Sequence, residues 1–213
     1  MAHRSIPPNT KATILPSPLP TPTHGSGGTF TVACSTRFPA PPTTCLSVTL
    51  NAPEYPKWNP FCRTATIDTN PTPNPNPPDA PTGSGYLTLG TQFTLSAHLD
   101  SKATSSGRAT PVEVSVLERI NDEDGRRGWR VAWKTRPTLG LPSWMLRAER
   151  VQEFVEVETE AGGRMETEYV CWETFYGALA GITRLAVSGK LPAAFDGWNG
   201  GLRERVEQLE GGK

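Results

Sequence analysis

Two alternating runs, Arg147–Val157 (RAERVQEFVEV) and Glu166–Tyr176 (ETEYVCWETFY), flank a turn at Glu158–Met165 that contains a Gly162-Gly163 pair. Alternation on both sides of a short glycine turn specifies an antiparallel β-hairpin. In the second run Met165, Thr167, Tyr169, Cys171, Glu173 and Phe175 share one face by the period of two. Glu173 is therefore a carboxylate on a face that otherwise carries Tyr169, Cys171 and Phe175. Such a group must be solvated by a cavity, paired, or held protonated.

The chain around this hairpin is read from its prolines. There are 22 among 213 residues, and they cluster, which separates tails and loops from packed segments. Residues 1–28 are rich in Pro, Ser, Thr and Gly and are expected to stay disordered. Thr29–Phe38 reads as a strand. Pro41 and Pro42 open a short helix, since proline is tolerated in the first helical turn. Ala52–Phe61 (APEYPKWNPF) is an aromatic loop and Cys62–Thr69 a second strand. Asn70–Gly85 loses so many backbone donors to proline that it reads as a long, mobile surface insertion. A proline-dependent partner site is the other reading of that insertion.

Tyr86–Asp100 is expected as a long strand, bulged at Gly90, with Phe93, Leu95, Ala97 and Leu99 on one face and His98 exposed on the other. Ala109–Asn121 and Gly128–Pro137 continue the sheet, and Thr138–Met145 is a loop able to cap an opening. Leu191, Phe195, Trp198, Leu202, Val206 and Leu209 form the apolar stripe of a long terminal helix. That helix is expected to start soon after Gly177 and to kink at Pro192, with Gly197, Gly200 and Gly201 permitting a close approach. The fold class is α+β: about six or seven antiparallel strands followed by a helix, residues 29–210 forming one domain with an insertion at 70–85.

Several function classes find no support. Lys plus Arg and Asp plus Glu both number 21, so no charge excess steers the chain toward nucleic acid or an anionic membrane. Cys34, Cys45, Cys62 and Cys171 lack metal-ligand spacing and read as free core thiols. No catalytic Ser–His–Asp set, phosphate-binding loop or nucleotide fingerprint occurs, and Gly25–Gly28 precedes a strand instead of a helix. The N-terminus has no apolar run of secretion-signal length, and no stretch reaches membrane-span length. The expectation is a soluble, cytoplasmic protein without metal or organic cofactor, of undetermined oligomeric state.

Five strings occur in an order that resembles the START/SRPBCC helix-grip superfamily, whose members include pollen-allergen-like carriers and polyketide cyclases/dehydrases. They are TFTVACSTRFPAPP, YPKWNPF, AERVQEF, EYVCWETFYGALAG and FDGWNGGLRERVE, spanning Thr29 to Glu210. The resemblance is to cyclase/dehydrase-type members above all. It implies a curved sheet gripping the terminal helix and a deep, mostly apolar internal cavity. One departure matters: related sequences commonly carry His where Gln152 stands, so any proton-carrying role at that position is unavailable here.

Glu173 is the first candidate catalytic residue, because apolar surroundings would raise its pKa toward neutrality. Its alternative is a buried acid paired with an arginine or a tyrosine hydroxyl. Glu149 is the second, sharing a face with Glu153, Val151, Val155 and Val157; a regular strand turns that face inward and a bulge turns it outward. Tyr169, Trp133, Trp144, Phe93, Phe175, Tyr176 and Trp172 are candidate pocket walls, Trp58, Asn59 and Phe61 a rim, and Trp198 and Asn199 contacts from the final helix. All of these aromatics also suit a plain core.

Three functions fit. The first is a cofactor-free enzyme that folds a polyketide-like intermediate and cyclises, dehydrates or rearranges it. The second is a carrier or sensor of hydrophobic ligands, and the third an interaction module working through its Pro-rich segments.

Overall fold

The computed structural model describes residues 5–72, 74–100, 107–158 and 165–212. It contains β1 (Thr13–Ile14), β2 (Phe30–Phe38), α1 (Pro42–Leu50), α2 (Tyr55–Trp58), β3 (Cys62–Thr69) and β4 (Gln92–Ala97). There follow β5 (Arg108–Asn121), β6 (Arg127–Thr135), β7 (Arg147–Glu158), β8 (Met165–Tyr176), α3 (Ala180–Val187) and α4 (Leu191–Gly211). The strands form one antiparallel, eight-stranded sheet in the order β1-β2-β8-β7-β6-β5-β4-β3. The sheet thus exceeds the expected six or seven strands by the short β1. The hairpin tip at 159–164 and His3 lie outside the described residues.

α4 crosses the inner face. Its residues Leu191, Phe195, Trp198, Leu202 and Val206 are buried, whereas Leu209 at the end of the stripe is exposed. Gly201 lets it dock closely: a Cβ there would come within 1.9 Å of the Trp58 carbonyl oxygen. The expected single kinked helix is two helices, because Pro192 stands at the start of α4, where its missing N–H costs nothing. The four cysteines are free and buried.

β7 and β8 pair without a slip from Arg147↔Tyr176 to Glu158↔Met165. Alternation therefore persists along the whole hairpin. Ala148, Arg150, Gln152 and Phe154 share the inner face with Phe175, Glu173, Cys171 and Tyr169, while Val151 and Trp172 belong to a second apolar cluster on the outer face. A bulge in β5 between Val114 and Val116 keeps Val112, Val114 and Leu117 in the core and sends the Ser115 hydroxyl to Glu149.

The segment expected to be disordered covers that outer face. Ile6, Leu15 and Leu19 pack on Ala33, Ala132, Val151, Val170 and Trp172. β1 pairs with β2, Trp172 Nε1 donates to the Pro20 carbonyl at 3.1 Å, and Thr174 Oγ1 donates to the Leu19 carbonyl at 2.8 Å. A Pro-rich chain cannot pair along its length, but a sheet that is apolar on both faces must be covered, and scattered side chains suffice.

Other expectations change too. The Pro-rich insertion is anchored: Ala80 is buried, and Asn76 Oδ1 accepts from the Leu89 N–H at 2.8 Å. The expected Tyr86–Asp100 strand narrows to β4, because Gly90 turns the chain at φ +82°. His98 is 9% exposed and hydrogen-bonds Ser96 Oγ at 3.1 Å, under the chain at Gly107.

Glu149 fastens the N-terminal segment. Its carboxylate accepts from the Thr23 N–H at 2.8 Å, the Thr23 hydroxyl at 2.7 Å and the Ser115 hydroxyl at 2.7 Å. Burial opposes its charge, and the hydroxyls of Thr21, Ser115 and Thr23 together with the Thr23 N–H outweigh it, leaving its pKa below the ordinary 4.5. A depressed folded-state pKa stabilises fully above the unfolded value and is lost as pH falls through the folded value. Glu149→Gln should cost about 1.5–3 kcal/mol and expose residues 13–25 to hydrogen exchange. Unchanged exchange there would rule out the fastening. Gly201→Val should lower the melting temperature, as overpacking costs about 1–3 kcal/mol; a calorimetric scan decides.

Candidate functional site

A cavity of about 250 Å³ lies between the inner sheet face and the two C-terminal helices. Its exposed end is formed by Arg108, Ala109 and Thr138, beside Leu141 of the β6–β7 loop and Thr183 and Val187 of α3. Leu95, Val112, Leu146 and Leu191 line the walls, and Phe61, Cys62, Trp133, Arg150 and Glu173 lie deeper. The lining is apolar apart from a few hydroxyls and charges, the usual make-up of a small-molecule site.

Glu173 lines this cavity. Its Cα is paired across the hairpin with that of Arg150. No hydrogen bond or ion pair holds Glu173 among the described residues. Burial pushes its carboxyl up, the Arg150 charge pulls it back, and Cys171 adds to the rise, leaving it at about 7. It is thus poised between acid and base at neutral pH.

Arg150 is the residue that sequence reasoning missed. It is 3% exposed, and its guanidinium carbon lies 4.1 Å from the Phe195 ring centre and 4.5 Å from that of Trp198. Phe61 stands at 5.6 Å. Its Nε donates to Cys171 Sγ at 3.3 Å. Burial works against the charge, but Cys171, Tyr169, Glu173 and Cys62 around it outweigh that, so it remains a cation. Burial likewise opposes a Cys171 thiolate, and hydrogen bonding to Cys34 together with the Arg150 charge draws the thiol below its ordinary value. Only counting strand register outward from Glu173 would have found Arg150.

The remaining candidates divide. Phe61, Trp133 and Phe175 line the cavity with Glu173. Glu149 does not: the unbroken register turns it outward, under Thr23, and Glu153 pairs there with Arg126 and Arg130 at 2.7 Å each. Tyr169 is core, its hydroxyl donating to Gln152 Oε1 at 2.8 Å. Trp58, Trp198 and Phe93 are core as well: Trp58 meets Trp198 edge-on at 5.0 Å, and Phe93 meets Trp133 at 5.9 Å. Asn199 Nδ2 donates to Cys34 Sγ at 3.3 Å instead of facing a ligand. Trp144 is 67% exposed outside the cavity, while Trp172 and Tyr176 belong to the strapped outer side.

Among the described residues no three His, Cys, Asp or Glu side chains are grouped to hold a metal ion. No helix among them is long and apolar enough to cross a membrane.

No family model matches the chain. It is 32% identical over 167 residues to the oxopyrrolidines biosynthesis cluster protein O of Penicillium oxalicum, covering 76% of this chain and 78% of that one. Among solved structures, a START superfamily protein from Mycobacterium smegmatis superposes with a TM-score of 0.52 at 16% identity, over 84% of this chain and 98% of that one. A hypothetical protein of Helicobacter pylori gives 0.53 at 13% identity, over 87% and 90%. The chain belongs to the family of the Penicillium cluster protein, built on the helix-grip fold of the START/SRPBCC superfamily.

Proposed function

We propose that this protein binds a small, largely apolar secondary metabolite in its cavity and catalyses a cofactor-free cyclisation, dehydration or related rearrangement of it. The observation that carries the reading is Glu173: a carboxyl held at about 7 in an apolar cavity, with no hydrogen-bond or ion-pair partner among the described residues. The name of its Penicillium relative places that protein in a biosynthetic cluster for oxopyrrolidines, which suits a metabolite substrate. The walls hold one conformer of a flexible chain, which removes part of the entropic barrier. Glu173 moves the proton.

A carrier or sensor is the second reading, and one observation favours it. With Glu149 turned away, Glu173 is the only carboxylate among the described residues that lines the cavity, so no second acid among them divides the labour of acid and base.

Glu173→Gln separates the two. Turnover should fall about 10²–10⁴-fold, the usual worth of a general acid or base, with ligand affinity retained; unchanged turnover would leave the carrier. The wild-type kcat/KM profile should inflect near pH 7, falling on the alkaline side for a general acid and on the acid side for a general base. A profile without that inflection would remove Glu173 from the chemistry.

Stability supplies a check that needs no substrate. The folded-state pKa of Glu173 is raised, so its protonated form stabilises below the ordinary 4.5, and this is lost as pH rises through about 7. Ionising it in the fold costs roughly 3 kcal/mol. Glu173→Gln should therefore melt higher than wild type at pH 8 and not at pH 4; equal melting at both would contradict the burial.

A further inference from the structure

Arg150 brings a full charge to the floor of an apolar cavity and leaves part of it unused. Of its five N–H donors, Nε meets the Cys171 sulfur. Nη2 is buried and has no hydrogen-bond partner among the described residues. No carboxylate among the described residues lies within ion-pair distance of it. The aromatic rings of Phe195 and Trp198 steady the cation but accept no hydrogen bond of ordinary strength. A desolvated guanidinium with an unmet donor, on a residue that lines the cavity, is costly unless something anionic completes it.

Glu173 is not a full anion at neutral pH, because burial holds its carboxyl at about 7, where it is only half ionised, and it loses that charge as the pH falls. Cys62 and Tyr169 are pushed up by burial and stay neutral. Cys171 is the one neighbour that leans toward ionisation, and it occupies Nε, leaving Nη2 free.

We infer that the ligand carries an oxyanion, an ionised carboxylate or enolate, which Arg150 takes as its counter-ion at the cavity floor. The assignment rests on the ligand-binding reading above and names the substrate class. The apolar body of the ligand then lies along Leu95, Val112 and Val187, and Glu173 faces the same anionic head. An anion on Arg150 favours the protonated form of Glu173, so a bound acid keeps its proton donor charged with a proton.

The test compares shape-matched probes that differ in charge. 2-Naphthoate and neutral 2-naphthamide are titrated into the full chain by calorimetry. 2-Acetylindane-1,3-dione, an enolate, is titrated against its O-methyl enol ether, which cannot ionise. The charged member of at least one pair should bind about tenfold or more tightly, the worth of one charge-assisted hydrogen bond. Which pair shows the larger ratio distinguishes carboxylate from enolate.

Arg150→Met should erase the preference while holding naphthamide affinity within about twofold, and Arg150→Lys should keep part of it. Equal affinities within both pairs in wild type overturn the assignment and leave the cavity reading standing. The same holds if a preference appears only in Cys171→Ser, which would make the thiolate the resident counter-ion. Failure of all four probes to bind sinks the cavity reading and this assignment with it.

Discussion

The register of β7 on β8 decides what this protein can be. Twelve pairs run without a slip, so a single parity places Arg150 opposite Glu173 and sends Glu149 and Glu153 to the far side. A one-residue shift would invert every side chain of β7. The cavity floor would then gain two carboxylates and lose its cation, and the N-terminal segment would lose the group that fastens it. Register is held here from both sides: Phe154 and Tyr169 pack into the core while Val151 and Trp172 pack into the outer cluster.

This double burial explains what the sequence could and could not disclose. β2, β3 and the stripe of α4 follow from simple periodicity, because the sequence of each has one apolar face, and α1 follows from the prolines that open it. Glu173 stands out for the same reason, alone among Tyr169, Cys171 and Phe175. β7 offers no such contrast, since Val151 and Val155 on one parity are as apolar as Ala148 and Phe154 on the other. Arg150, set between two glutamates and their neighbours, reads as a solvated surface charge. Its burial depends on Phe195 and Trp198 from α4, some 45 residues on, and local pattern carries no such information.

The N-terminal segment was illegible for a different reason. Its composition is that of a disordered tail, and Ile6, Leu15 and Leu19 are too sparse to signal an element. What docks it is the unsatisfied demand of a surface made elsewhere, by β2, β6, β7 and β8. Buried donors and acceptors supply the rest: Tyr176, Trp172, Thr174 and Glu149 each bond to the segment. Pro-rich chain is well suited to this, since it has little conformational entropy to lose and few donors left over to satisfy.

Consistency across levels breaks at the cavity floor, and that location is informative. Elsewhere among the described residues the buried carboxylates are ion-paired, as Glu153 is with Arg126 and Arg130, or hydrogen-bonded, as Glu149 is by Thr23 and Ser115. At the floor a carboxyl is held near 7 and a guanidinium keeps a bare donor, although the two stand on directly opposed residues. Folding alone would be better served by apolar side chains at both positions, since replacing buried charges by packed hydrophobes is often neutral or stabilising. Local conflicts that the fold tolerates at a stability cost tend to mark functional sites. Here the acid and the cation are adjacent yet unjoined, and the room between them and the cavity mouth is where the proposed ligand would sit.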